Sequence, residues 1–193
     1  MVPTGRCSLR SLPIMRPEPG TVLHFSEDPT IREFAPHIAA TSADPEPVVW
    51  AVDASRAPDY WFPRQCPRAM AWVTDDTTDA DRLTILGPHT RRVHLIEYGW
   101  LERLQTVELF AYAFDAADFV PHPAERPHAQ VARRAVRPLG PPERVGNLLA
   151  LHEQAGIELR LTDSLWLWWD AVIASTVGFS GIRLRNARAR PTP

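Results

Sequence analysis

The sequence contains no lysine; its 21 cationic side chains other than histidine are all arginine. That excludes Schiff-base and lysine-base chemistry, and GC-rich coding accounts for the bias without giving it a function. Cysteine is nearly as scarce, and Cys7 and Cys66 cannot build a disulfide framework. No apolar run approaches the ~20 residues that cross a bilayer. Residues 11–20 are too polar and proline-rich for a signal peptide's apolar core. HExxH, CxxC and glycine-rich phosphate-loop motifs are missing, and His24, Glu27, Asp28 and His37 lack a ligand spacing, so no metal is expected. A net charge of −2 gives no general attraction to nucleic acid or acidic lipid. These absences leave a cytoplasmic protein of bacterial type, with no membrane partner and no expected nucleic-acid partner.

What is present is a chain of 193 residues, 45% hydrophobic, enough for one domain with a substantial core. The 20 prolines favour extended and turn segments, because proline fixes φ and lacks an N–H. Residues 1–20 read as a disordered leader, 21–187 as a single globular domain and 188–193 as a tail. Strands are predicted at 21–25, 48–52, 69–73, 92–97, 107–114, 130–136, 157–161 and 182–185. The strand at 48–52 is apolar on both faces and so reads as central. A helical turn is predicted at 30–37, with a second around Trp100 to Leu104. Residues 75–81 read as a solvated loop or helix start, and 120–127 as a loop. A helix is predicted over 141–154, between paired prolines and Gly156, with Val145, Leu148, Leu149 and His152 on one face. A second helix, at 165–174, is apolar nearly all round and is expected to be buried. The class is α+β: a mixed or antiparallel sheet with two or three packed helices.

Three places could carry chemistry. In LHFSED, strand alternation puts His24 and Ser26 on one face, with Glu27 at the rim; the alternative is a core histidine bonded to backbone. In DYWFPRQCPR, Tyr60 and Trp61 can stack a planar ring while Arg64 and Arg68 clamp an anion. Cys66 lies between those arginines, which would favour its thiolate. With no partner histidine nearby in the sequence, it reads rather as a small buried hydrophobe. Glu97 ends the RVHLIE strand and can face a cleft mouth, with Glu108 competing for that role. The C-terminal Arg183, Arg185, Arg188 and Arg190 suit a phosphate or a nucleic-acid backbone, or simply a solvated edge strand. Asn186 could position an amide or carbonyl.

LHFSEDPTIREFAPH, VVWAVDASRAPDYWFPRQCPR, IELR and FSGIRLRNA resemble an uncharacterised bacterial family of the domain-of-unknown-function type, over residues 21–189. More distantly, the order His24, Tyr60, Glu97 is similar to ADP-ribosyltransferase-like domains, including the small rifampin-modifying type. That resemblance implies an ADP-ribosyltransferase-like core and NAD as cofactor. His24 would hold the ribose, Tyr60 would pack on nicotinamide and Glu97 would stabilise positive charge or take the acceptor's proton. Ser26, Trp61, Arg64 and Arg68 would complete the cofactor site, with an arginine on the pyrophosphate. The expected function is an NAD- or nucleotide-using transferase acting on a small molecule or a macromolecule. The alternatives are a metabolite-tailoring or hydrolytic enzyme with His24 as general base, or a non-catalytic ligand-binding module.

Overall fold

Apolar alternation at the start of the domain forms β1 (Thr21–Ser26) in the computed structural model, which describes residues 15–38, 46–123 and 128–190. There follow β2 (Val49–Ala51), a 3-10 turn over Ala57–Tyr60 and β3 (Arg68–Trp72). A short helix, α1 (Asp79–Asp81), is capped by the Thr78 hydroxyl, which accepts from the Asp81 N–H. Next come β4 (Arg92–Glu97), α2 (Leu101–Thr106) and β5 (Phe110–Asp115). The remaining elements are β6 (Val120–His122), β7 (Ala129–Ala132), β8 (Glu143–Arg144), α3 (Leu148–Gln154), β9 (Glu158–Thr162), α4 (Trp166–Ile173) and β10 (Gly178–Ile182).

Among the described residues the strands form three small sheets, ordered β1-β5-β8, β10-β3-β4-β9 and β2-β7-β6. Every pairing is antiparallel except β4 with β9. The expected α+β class is what the chain adopts, but with three sheets, one of them mixed, in place of a single sheet, and with four α-helices rather than two or three among the described residues. β2 stands at the edge of its sheet rather than at the centre. It joins β1 through a reciprocal bridge in which Leu23 and Val52 exchange backbone hydrogen bonds at 2.9 and 2.8 Å.

Both faces of β1 are covered. Leu23 and Phe25 enter the main core with Trp61, Phe62, Ile96 and Leu148, while Val22 joins Phe34, Tyr112 and Phe114 on the other side. Burial of these large side chains, at ~1.5–3 kcal/mol each, holds the layers together.

Several predicted segments differ. Residues 30–37 are extended: Phe34 bridges Val136 and His37 bridges Val48. Pro36 disfavours a helical Ala35, and Asp28 already closes a turn by accepting from the Thr30 N–H. The predicted loop after Phe119 begins with β6; residues 124–127 lie outside the described set. The helix predicted from 141 begins only at Leu148, because Glu143 and Arg144 pair with Ala111 and Phe110. Gly146 then takes φ +85°, and the Asn147 side chain caps the helix by accepting from the Ala150 N–H. Helix α4 is not buried as expected: Val172 is its one buried residue and Leu167 is 87% exposed. It packs one face on the β10-β3-β4-β9 sheet, through Trp168 and Trp169. The last strand lies four residues earlier than predicted, at Gly178–Ile182, because Arg183 turns the chain with φ 57°.

Residues 1–14 and 191–193 fall outside the described residues. Met15, in the predicted leader, is buried in the main core, and its carbonyl accepts from Trp61 Nε1 at 3.1 Å. Among the described residues no helix is long and apolar enough to cross a membrane.

Candidate functional site

β1, β2 and the 3-10 turn face β3 and β10 across a cavity of about 1070 Å³. His24 and Trp50 line it from β1 and β2, Tyr60 from the 3-10 turn, and Arg68 and Trp72 from β3. The chain from Thr176 to Arg183 closes the far wall. The lining arginines are Arg56, Arg64, Arg68 and Arg183; among the described lining residues Asp76 alone carries a carboxylate. The cavity is therefore aromatic and cationic, although the whole chain is slightly acidic.

His24 donates from Nδ1 to the Trp50 carbonyl at 2.7 Å, since a carbonyl can only accept. Nε2 is then the unprotonated nitrogen, free to accept a hydrogen bond from a ligand hydroxyl. Burial lowers the His24 pKa to about 4, against the Trp50 hydrogen bond, and the charges of Arg64 and His37 lower it further. The ring is neutral at physiological pH and packs 4.9 Å from the Phe34 ring.

Tyr60 sits beneath Arg68, whose guanidinium carbon lies 5.5 Å from the Tyr60 ring centre and 5.1 Å from that of Phe62. Burial raises the Tyr60 pKa, so it remains a phenol. Arg68 is 3% exposed and donates to two neutral groups, the carbonyls of Asp59 at 2.7 Å and Cys66 at 2.9 Å.

Behind this wall Asp59, fully buried, organises a charged hub that the sequence reading missed. Its Oδ1 accepts from Arg92, and its Oδ2 faces Arg56 Nη2 at 3.1 Å. Arg56 and Arg92 in turn lie 4.6 and 5.2 Å from the Trp72 ring centre, fixing that ring in the cavity wall. Arg92 Nε also donates to His94 Nε2 at 3.0 Å. Because arginine only donates, the His94 proton is on Nδ1, which gives to His152 Nε2 at 3.1 Å. His152 then donates from Nδ1 to the Leu148 carbonyl at 2.7 Å. Burial, first of all, holds both rings in the neutral form: His152 is lowered to about 4, and His94 falls well below its usual value.

The structure brings together four of the seven proposed site residues, His24, Tyr60, Arg64 and Arg68, and keeps three apart. Glu97 does not line the cavity. It is buried at the end of β4, and both its oxygens accept from the Arg188 N–H at 3.1 Å. Ser26 is buried with its Oγ accepting from the Asp28 N–H at 3.1 Å. Trp61 is wholly buried in the main core. The rival carboxylate, Glu108, pairs with Arg144 at 2.7 Å and also lies off the cavity lining. Glu27, expected at the rim, ties the Arg64 N–H and Arg103 together. Burial pushes the Cys66 thiol up to about 12, with Arg68 opposing and Glu97 adding to the rise; it is a protonated core side chain. Asn186 donates to the Gln65 carbonyl at 2.8 Å.

Trp50, Arg56, Trp72 and Arg183 were not singled out for the cavity from sequence, apart from Arg183 as one of the C-terminal arginines. Trp50 and Trp72 carried a signal, each being a large aromatic with a polar N–H beside apolar strand neighbours, Val49 and Ala51 in β2 and Ala71 in β3. Among the described residues no three His, Cys, Asp or Glu side chains converge so as to hold a metal ion.

No curated protein and no solved structure matches the chain. One family model does, over residues 23–187, which include the whole cavity lining. The chain therefore belongs to the family of unknown function DUF6886.

Proposed function

We propose that the chain is an ADP-ribosyltransferase-like enzyme that takes NAD or a closely related nucleotide in the cavity between β1 and β10. The observation that carries this reading is that His24, 36 residues before Tyr60 in the chain, lines one cavity with the neighbouring Tyr60, Arg64 and Arg68. His24 Nε2 accepts a ribose hydroxyl, Tyr60 packs on the leaving ring and the arginines meet the phosphates. In the transfer, the bond between the ribose and nicotinamide breaks, and nicotinamide leaves with the electron pair as a neutral pyridine. The acceptor's lone pair forms the new bond to that carbon, and its proton goes to a base or to water. Glu97 is not suited to be that base, because its carboxylate serves the Arg188 N–H; Asp76 is the lining carboxylate that could take the proton.

The test is release of nicotinamide from NAD by wild type and by His24→Ala, alongside NAD binding read from tryptophan fluorescence. Release by wild type and its loss in His24→Ala support the enzyme. Binding without release selects the second reading, a non-catalytic nucleotide-binding module, which the position of Glu97 away from the cavity favours. Neither binding nor release rejects both.

A further inference from the structure

We infer that Arg68, Arg64 and Arg183 form one diphosphate subsite, in which Arg183, from the turn after β10, is the closing member and selects nucleoside diphosphate esters over nucleosides. The inference rests on the nucleotide reading above and names the part of the ligand these residues recognise.

Arg68 supplies the first argument. It is almost wholly buried, lines the cavity, and spends its mapped hydrogen bonds on two backbone carbonyls. The charge of Asp59 reaches Arg68, but the carboxylate oxygens themselves are engaged by Arg92 and Arg56. A buried cation whose protein contacts are neutral groups is unfavourable unless an anion completes it. A cavity wall is where that anion can come from solution.

Backbone geometry at Arg183 supplies the second. Its φ of 57° and ψ of 26° are left-handed, uncommon for any residue with a Cβ. Such positions cluster where a ligand site needs a particular aim. The turn is also tightly packed: a Cβ on Gly181 would stand 2.6 Å from Leu184 and 2.7 Å from Trp169. Packing therefore fixes where the chain reverses, and Arg183 lies on the cavity lining at that reversal.

Arg183 is coupled to both of the other cations. Burial lowers the Arg183 pKa first and the charge of Arg64 lowers it next, while Arg183 contributes to the lowering at Arg68. One carboxylate would be satisfied by a single arginine fork. Three arginines on the lining that also holds Tyr60 suit the two charges and several acceptor oxygens of a diphosphate joined to a ring.

Calorimetry on the full chain with inorganic pyrophosphate, ADP and adenosine tests this. ADP should bind at least about tenfold more tightly than adenosine, and its affinity should fall as salt rises. Arg183→Gln and Arg64→Gln should each weaken ADP about tenfold and leave adenosine within about twofold. Arg68→Lys keeps the charge but loses the fork and should weaken ADP as well; the two more accessible arginines keep the test meaningful if Arg68 variants fold poorly. Equal affinity for ADP and adenosine, or unchanged ADP affinity in Arg183→Gln, overturns the subsite. Failure of the two ideas is distinguishable. Pyrophosphate and ADP binding without nicotinamide release from NAD rejects the transferase and keeps the subsite. Nicotinamide release with an NAD KM unaltered by Arg183→Gln does the reverse.

Discussion

The cavity wall at His24 and the buried hub at His94 and His152 use the same side chain, and burial keeps all three rings neutral. They differ in where their nitrogens go. At the hub, a single direction of donation runs from Arg92 through His94 and His152 to the Leu148 carbonyl, and no ring nitrogen is left over. At His24 one nitrogen is fixed by the Trp50 carbonyl and the other remains for a ligand. A lowered histidine pKa thus separates nothing by itself. The hydrogen-bond inventory tells the structural pair from the candidate ligand-binding ring.

The largest effect should come from the carboxylate that anchors the hub. Asp59→Ala leaves Arg56 and Arg92 without their buried partner and should cost ~3–5 kcal/mol in urea unfolding. A loss under about 1 kcal/mol would show the hub to be a weakly coupled, surface-like network.

His152→Phe should follow, losing about 1–3 kcal/mol because the His94 Nδ1–H is left without its acceptor. The same variant sharpens the acid response. The folded His152 pKa is about 4 against 6.5 for the free side chain, so the unfolded chain binds more protons between those values. Its contribution to stability is therefore complete above pH 6.5 and is lost as pH falls toward 4. The loss is on the order of 3 kcal/mol once the ring is protonated in both states. Acid titration of the unfolding midpoint should show a shallower decline in His152→Phe than in wild type; an unchanged decline rejects this account.

His24→Gln should lower stability by about 1 kcal/mol or less, since it removes one hydrogen bond to Trp50. If the proposed transferase activity holds, it should nonetheless reduce nicotinamide release at least about a hundredfold, because the group proposed to orient the ribose is gone. Loss of stability without loss of turnover would put His24 in the same class as the hub histidines. The smallest effect is expected at Glu97→Gln, which retains acceptor oxygen for the Arg188 N–H. Under the same proposal nicotinamide release should stay within about threefold of wild type, whereas a drop of about 10²–10⁴ would return Glu97 to an acid–base role.

The contrast between β1 and β4 shows how far alternation can be read. RVHLIE predicts a strand, and β4 spans those residues. Yet Glu97 at its end meets the C-terminal chain, 91 residues away, rather than a cleft. Alternation orders side chains by face but carries no information about what covers each face. The start of the helix predicted at 141–154 was misplaced for a related reason: its prolines mark an extended approach, and the start signal is Asn147 after Gly146. In α4, hydrophobicity all round led to an expectation of full burial. The chain offers that helix a single packing face, and Leu167 remains in solvent.

Composition and local pattern determined the α+β class, most of the strands, the exclusion of lysine chemistry and the aromatic–arginine segment from Tyr60 to Arg68. These follow from residue identity and from spacing within a few positions. Tertiary structure alone decided that His24 and Tyr60 share a cavity while Glu97 and Trp61 do not, that Asp59 gathers Arg56, Arg92 and His94, and that Arg183 arrives from the far end of the chain. Such meetings depend on which sheet edges pair and on where a tight turn lets the chain reverse, and long-range packing sets both.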